Sequence, residues 1–235
     1  MQLVQLSREH HAGLRIDPAR ALATAATVHL VPVVRSELRK VASHYPIFFV
    51  KDGETGQFYL AALMGLEPHE NLYWNGSALD ADYVPLNILR QPFYVGDDGM
   101  ICVDMDSAAI DPNGACAVTE QDGSDSGYIG TIQAILSELA GQQGVTRALI
   151  DRALALQLVM EIKLDIVFNN SASASLTGLY GIDERALARQ AKDSVDFEDM
   201  VGFVAMILSL EHVASMVRRK NALIESEAAW LGSAA

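Results

Sequence analysis

The amino-acid sequence predicts an α+β protein in which an N-terminal, mostly antiparallel sheet packs with C-terminal helices. Short apolar segments joined by tight turns fill the tract from 29 to 106, a pattern typical of antiparallel strands. After a loop-like stretch at 107–126, apolar residues recur about every 3.6 positions, which indicates helices. With 235 residues, the chain is long enough to bury a sizeable core without disulfides.

The first predicted strands are 29–34 and a hairpin made of 46–50 and 57–64. The hairpin segments are rich in aromatic and β-branched residues, and a glycine-containing turn lies between them. A short helix over 36–42 precedes the hairpin. Pro32 lacks a backbone N–H, so the first strand fits best at the edge of the sheet.

Three more strands are predicted in the second half of this tract. The segment 71–74 has strand composition and is followed by Asn75-Gly76, the strongest short turn signal. Segments 92–95 and 100–103 form a second hairpin around a turn rich in Asp and Gly. Between them, Pro85 fits the first turn of a short helix over 86–90.

The C-terminal half is predicted to be mainly helical. Apolar residues at helical spacing indicate helices over 129–139 and 146–160. One further strand, 164–168, precedes a loop that runs to Asp183, the predicted cap of a helix over 184–190. A last long helix covers 197–221, and its apolar face predicts that it packs on the core.

The domain organisation follows from these elements. Residues 1–28 are predicted to form an N-terminal arm and residues 29–235 a single α+β domain, with a split near 107–126 as the alternative. The apolar run 200–210 is interrupted by Gly and Ser and is shorter than a membrane span, so the sequence predicts a buried helix, no membrane insertion and a cytoplasmic protein.

The net charge indicates which classes of partner the chain can bind. The formal net charge is −13, which repels nucleic-acid phosphates and anionic lipid, so no nucleic-acid partner is predicted. The expected partner is a protein or peptide, with homo-oligomerisation as a further option.

Cys102 and Cys116 are the only cysteines. They are predicted to be buried free thiols, and a disulfide between them is the alternative.

No sequence motif identifies a reaction. The chain has no phosphate-binding loop, no HExxH, no GxSxG and no CxxC. Catalytic residues are therefore unknown, and neither a metal nor a cofactor is predicted. Two donor sets leave an alternative open: His44 and His69 with Glu67 or Glu70, and the carboxylates Asp97, Asp98, Asp104 and Asp106. Neither set has the spacing of an established site.

Aromatic residues are concentrated in the strand-rich tract. Most of the chain's aromatics fall between Tyr45 and Tyr94. Alternation along strands sends about half of such residues to the core, and the others would form a surface suited to stacking on a peptide or carbohydrate. A core-only role remains the other interpretation. The predicted ligand-binding aromatics are Tyr45, Tyr59, Tyr73, Trp74 and Tyr83.

Several short segments occur in an order that resembles a known family. They are His44-Tyr-Pro-Ile-Phe-Phe-Val-Lys-Asp, Thr55-Gly-Gln-Phe-Tyr, Ala62-Leu-Met-Gly-Leu, Glu70-Asn-Leu, Asp82-Tyr-Val-Pro, Arg90-Gln-Pro-Phe, Gly178-Leu-Tyr-Gly-Ile-Asp-Glu and Leu208-Ser-Leu. Together they resemble SapC-family proteins over about residues 28–220. The loop 106–126 carries few family residues, and the family's tryptophan before the Tyr83 segment is missing.

The resemblance implies a connection with bacterial surface-layer proteins and supplies no catalytic residues. It also points to Arg90 as a residue that binds an anion or carboxylate, because a guanidinium suits bidentate pairing; pairing with a structural Asp is the alternative. The predicted function is a non-enzymatic peptide- or protein-binding accessory factor linked to bacterial cell-surface or outer-membrane proteins. A peptide could add as a strand at a sheet edge. The alternatives are a metal-dependent enzyme acting on a small molecule or peptide, and a structural oligomerising subunit.

Overall fold

The computed structural model describes residues 1–190 and 195–233. The chain divides into two compact units. Unit 1 comprises Met1–Ala26, Trp74–Asp80 and Val84–Gln143, and unit 2 comprises Thr27–Tyr73, Ala81–Tyr83 and Gly144–Ala235. Both units combine antiparallel strands with helices, which confirms the predicted α+β class. The predicted arrangement of an N-terminal arm and one domain stays a prediction.

The elements follow one another in short segments until the C-terminal half. The strands are β1 (Leu3–Gln5), β2 (Arg15–Ile16), β3 (Leu30–Pro32), β4 (Ile47–Lys51), β5 (Phe58–Leu63), β6 (Phe93–Val95), β7 (Ile101–Asp104), β8 (Cys116–Ala117), β9 (Val159–Val167) and β10 (Ser173–Ile182). The helices are α1 (Arg8–His11), α2 (Pro18–Ala23), α3 (Leu38–Ala42), α4 (Leu86–Leu89), α5 (Gly127–Ala155), α6 (Glu184–Gln190), α7 (Phe197–Ser209) and α8 (His212–Ser233). Two 3-10 turns, Thr24–Thr27 and Arg35–Glu37, precede β3 and α3.

Unit 1 contains a three-stranded antiparallel sheet of order β1-β7-β6 and the small pair β2-β8. The predicted hairpin of β6 and β7 is confirmed, with Phe93 opposite Val103. Both side chains are fully buried. The first turns of α5 bury Ile129, Ile132 and Leu136 in the same cluster, as the helical spacing predicted. The N-terminal residues contribute β1, β2 and α2 to this unit.

Unit 2 contains a five-stranded antiparallel sheet of order β3-β5-β4-β10-β9. The predicted hairpin of β4 and β5 is confirmed, with Phe49 opposite Leu60. Strand β3 lies at one edge, which is where Pro32 was predicted to be tolerated. Strand β9 lies at the other edge and pairs with β10 along its length, apart from an irregularity between Leu176 and Leu179.

The predicted strand 71–74 is wrong. Only Trp74 pairs, in an isolated bridge with Leu79. The side chain of Asn71 accepts a hydrogen bond from the backbone N–H of Tyr73 at 2.9 Å, and that of Asn75 accepts one from Ala78 at 2.9 Å. Two asparagine side chains thus satisfy backbone donors locally and favour turns over a strand ladder.

The helix predicted over 184–190 is confirmed as α6, but other details predicted for the C-terminal half were wrong. Helix α5 is continuous from Gly127 to Ala155, because the exposed Gly141 and Gly144 lower helix propensity without ending the helix. Gln157, with φ 54°, lies in the turn that leads into β9, so Met160 lies in a strand rather than a helix. The expected loop before Asp183 is largely strand β10.

The last predicted helix is two helices, α7 and α8, which meet around Leu210 and Glu211. In the part of the chain that the structure describes, the helical stretch Phe197–Leu231 is long and apolar enough to cross a membrane by length and composition alone. This is weak evidence, because a core helix of a soluble protein passes the same test. The predictions of no membrane insertion and of a cytoplasmic protein stay predictions.

Candidate functional site

An open apolar groove of about 330 Å³ lies within unit 1, and we call it the unit 1 groove. Helices α2, α4 and α5 supply its walls. Its volume falls in the range of ligand sites, and apolar lining with a few polar groups is typical of them. Leu89 is 42% exposed and lies on its lining. The lining residues include Leu22, Ile88, Leu89, Gln91, Tyr128 and Ile135.

Local hydrogen bonds position the walls of this groove. Asp17 caps α2 by accepting from the backbone N–H of Ala19 at 2.9 Å, and Pro18 occupies the first helical turn. Arg20 on the same helix forms an ion pair with Asp111 at 3.0 Å. The sequence prediction missed this groove because it assigned α2 to a peripheral arm. The Asp17-Pro18 pair was the available signal, since it is a standard start of a helix.

Arg90 follows α4 and lies between two groove residues in the sequence. Its Nε donates to Asn87 Oδ1 at 2.7 Å, and its Nη1 donates to the carbonyl oxygen of Phe93 at 2.8 Å. Its guanidinium carbon lies 4.1 Å from the centre of the Tyr94 ring. The Tyr94 hydroxyl donates to Gln91 Oε1 at 3.0 Å. Arg90 therefore holds the turn that presents Leu89 and Gln91 to the groove.

The charge of Arg90 has unusual surroundings. Burial lowers the pKa of its guanidinium, while the Tyr94 side chain acts in the opposite direction. Both acceptors of these Arg90 hydrogen bonds are neutral. The bonds therefore do not support the alternative prediction, in which Arg90 pairs with a structural Asp. The predicted role of Arg90 in binding an anion stays a prediction.

Replacing Arg90 with alanine is expected to lower the free energy of unfolding by about 1–2 kcal/mol, because two buried or half-buried acceptors lose a charged donor. Unfolding should remain cooperative. Urea denaturation followed by circular dichroism measures the change. Arg90→Lys, which keeps the charge but loses the planar fork, should recover only part of it. Unchanged stability of Arg90→Ala would show that Arg90 does not support the turn.

Three of the predicted binding tyrosines come together in unit 2. Tyr45 and Tyr73 are buried, and their ring centres are 4.6 Å apart in an edge-to-face arrangement. Tyr45 donates to the backbone carbonyl of Tyr83 at 2.7 Å, and Tyr83 donates to Oε2 of the buried Glu37 at 2.9 Å. Burial raises the pKa of Tyr73 to about 12, while nearby Arg219 acts in the opposite direction. Buried rings such as Tyr45 and Tyr73 support the fold and do not face solvent here.

Three of the predicted aromatics are less buried than Tyr45 and Tyr73. Tyr59 on β5 and Tyr83 are half-buried, as is Trp74, which belongs to unit 1. Burial raises the pKa of Tyr59, and the charge of Asp52 raises it further. A binding role for these residues stays a prediction, and half-burial leaves part of each ring accessible.

Two of the candidate metal donors, Glu67 and Glu70, bind a lysine instead. Lys220 Nζ lies 2.7 Å from Glu67 Oε2 and 2.5 Å from Glu70 Oε1. His69 is exposed, with φ 62°. Among the described residues, no group of three or more His, Cys, Asp or Glu side chains could hold a metal ion. Cys102 and Cys116 are free, as predicted, but half-buried rather than buried.

Comparison with known proteins adds a family. A sequence profile of the SapC family matches residues 6–219, which is nearly the whole chain. No curated protein and no solved structure matches. The match extends the resemblance of the strand-rich tract to the N-terminal elements β2 and α2, and α2 helps to build the unit 1 groove. The chain belongs to the SapC family.

Proposed function

We propose that the chain is a non-enzymatic accessory factor that binds an apolar segment of another protein in the unit 1 groove. The observation that carries the proposal is the groove itself, with an apolar lining, about 330 Å³ of space and the accessible Leu89. Open apolar concavities on proteins mark interaction sites, because covering them removes apolar surface from water.

Two polar features support recognition of a polypeptide. Gln91 lies in the lining, where its Oε1 accepts from Tyr94 and one N–H of its amide points to the carbonyl oxygen of Asn87 at 3.5 Å, so its second N–H can bond to a peptide backbone. Arg90 fixes the turn through bonds of 2.7 and 2.8 Å, so the groove wall is organised before a partner arrives. Preorganised sites bind more tightly because less conformational entropy is lost on binding.

The biological setting is part of the same proposal. The factor acts in the bacterial cytoplasm and serves proteins destined for the cell surface or outer membrane. The family resemblance alone supports this setting. The alternative mechanism, addition of a peptide strand at the exposed edge β9, has less support, because Glu161, Lys163 and Asp165 line that edge with charges that oppose strand addition.

A charge in the groove should abolish partner binding. Leu89→Glu places a carboxylate where an apolar partner would dehydrate it, so we expect partner recovery to fall about tenfold or more. Val95→Glu is the matched control, since Val95 is 44% exposed in the same unit but does not line the groove. Both variants are tested by quantitative cross-linking and mass spectrometry in lysate of the native host. Equal recovery by the two variants, or no partner for the wild type, would overturn the proposal.

A further inference from the structure

A second apolar groove lies within unit 2, between α3 and α7, and we call it the α3–α7 groove. Its volume is about 370 Å³. Val204 and Leu208 on α7 are 39% and 63% exposed although they line it. Arg39, on the α3 side, is exposed and adds a positive charge to the lining. The groove therefore combines an apolar floor with a basic rim.

The groove is rigidly built. Asp196 caps α7 by accepting from the backbone N–H of Asp199 at 2.8 Å. At the other end, buried Ser209 accepts from the N–H of Ile47 at 2.9 Å and donates to the carbonyl of Met206 at 2.6 Å. These bonds fix α7 on strand β4, so a partner meets a formed surface.

The last part of α8 has the complementary character. We call residues 221–231 the α8 tail. Leu223, Trp230 and Leu231 are 47%, 69% and 64% exposed. Exposed tryptophan and leucine at helical spacing are typical of binding helices. The only charged residues of the tail are Glu225 and Glu227, so the tail is acidic.

Around the start of the tail, α8 is fixed to its own unit. Lys220 binds Glu67 and Glu70, and Asn221 accepts from the backbone N–H of Asn169 at 3.0 Å. Glu225 also accepts from the Asn169 side chain at 2.9 Å, which leaves Glu227 as the more available carboxylate. The tail is thus presented as a continuation of an anchored helix.

From this match we propose that the α3–α7 groove binds the α8 tail of a second copy of the chain. The groove residues from Met200 to Leu208 and the tail residues from Leu223 to Leu231 each span eight steps of a helix, about 12 Å. Val201, Val204 and Leu208 are spaced three and four apart, and the exposed Leu223, Glu227 and Trp230 are spaced four and three apart. Two such stripes pack side by side.

The net charge of the chain opposes this contact, and a local pair of opposite charges favours it. The net charge of −13 opposes the association of two copies. Arg39 offsets this locally, because the acidic tail meets a cation at the groove. Each copy carries one groove and one tail, so a reciprocal exchange closes at two copies with two identical contacts. This contact is independent of the unit 1 groove and of the function proposed for it.

The first test is the mass of the full chain in solution by sedimentation equilibrium. The wild type is expected to approach twice the monomer mass of 25.4 kDa as its concentration rises. Leu208→Glu in the groove and Leu231→Glu in the tail should each raise the dissociation constant about tenfold or more. Val167→Glu is the control, since Val167 is 72% exposed on β9 and belongs to neither surface.

A mixing experiment separates this contact from a groove-to-groove dimer. Leu208→Glu retains a sound tail and Leu231→Glu retains a sound groove. An equimolar mixture should therefore form a heterodimer with one intact contact, although each variant alone is monomeric. In a groove-to-groove dimer, Leu231→Glu alone would already dimerise like the wild type, and adding Leu208→Glu to it would create no further dimer.

Charge reversal provides the last check. Arg39→Glu and Glu227→Arg should each weaken the dimer, and the double variant should recover most of the loss. A wild type that stays monomeric at all concentrations, or a dimer that neither Leu208→Glu nor Leu231→Glu weakens, would overturn the proposal. Binding of the monomer to phospholipid vesicles through the tail would likewise overturn it and assign the tail to a lipid surface.

Discussion

Gly65→Ala is expected to destabilise the protein by about 3 kcal/mol, because the position has no room for a methyl group. A Cβ at Gly65 would overlap the carbonyl oxygen of Glu70 and lie 2.8 Å from its carbonyl carbon. Glu70 cannot easily move away from the added methyl group. Glu70 accepts from the N–H of Leu66 at 2.9 Å through one carboxylate oxygen and binds Lys220 through the other. The added methyl group must therefore displace backbone.

Urea denaturation followed by circular dichroism measures this effect. Gly144→Ala is the matched control in the same unit, since Gly144 lies exposed within α5 and an added Cβ would meet nothing within 4 Å. Alanine favours helix over glycine, so this control should gain up to about 1 kcal/mol. A Gly65→Ala protein as stable as its control would show that the loop of Leu66–Glu70 can move aside without loss of stability.

The fold could be predicted from the sequence where local signals agree with tertiary pairing. The hairpin of β4 and β5 is an example: two apolar runs flank a turn whose Gly56 has φ 68°, a conformation that glycine adopts without strain. Strand β10 shows the opposite case. Its residues Ser173–Ile182 include Gly178 and Gly181, which are poor strand signals, and its pairing with β9 and β4 supplies the missing stability.

The candidate sites were harder to predict for a related reason. Composition indicates how many aromatics a tract has, but not which face each one occupies. Tyr45 and Tyr73 pack against each other in the core, whereas Leu89, an ordinary apolar residue, lies accessible in the unit 1 groove. Exposure of an apolar side chain is a property of the assembled elements, so no local pattern marks it.

Arg35→Met is expected to destabilise the protein by about 3 kcal/mol at neutral pH, because it removes the guanidinium that pairs with a buried carboxylate. Arg35 Nη2 lies 2.8 Å from Asp199 Oδ1, and the two side chains are 19% and 8% exposed. Exposed Glu198 lies 3.5 Å from the same nitrogen. Breaking this second ion pair should cost less stability, because water screens the charge of Glu198. Lys163→Met is the control, since it breaks the exposed pair with Asp165 and should change stability by less than about 0.5 kcal/mol.

The pH dependence identifies the carboxylate responsible. Burial raises the pKa of Asp199 above its ordinary value of 3.8, and the charge of Arg35 opposes that rise. Removing Arg35 should therefore raise the pKa of Asp199 further. A raised pKa means that the folded state binds the proton more tightly than the unfolded state, so protonation stabilises the fold.

The loss of stability of Arg35→Met relative to the wild type should be largest above the raised pKa of Asp199. It should shrink as the pH falls through that pKa towards 3.8. Urea denaturation at a series of pH values measures this difference, and a deficit that stays constant or grows in acid would show that the lost stability does not come from the charge on Asp199.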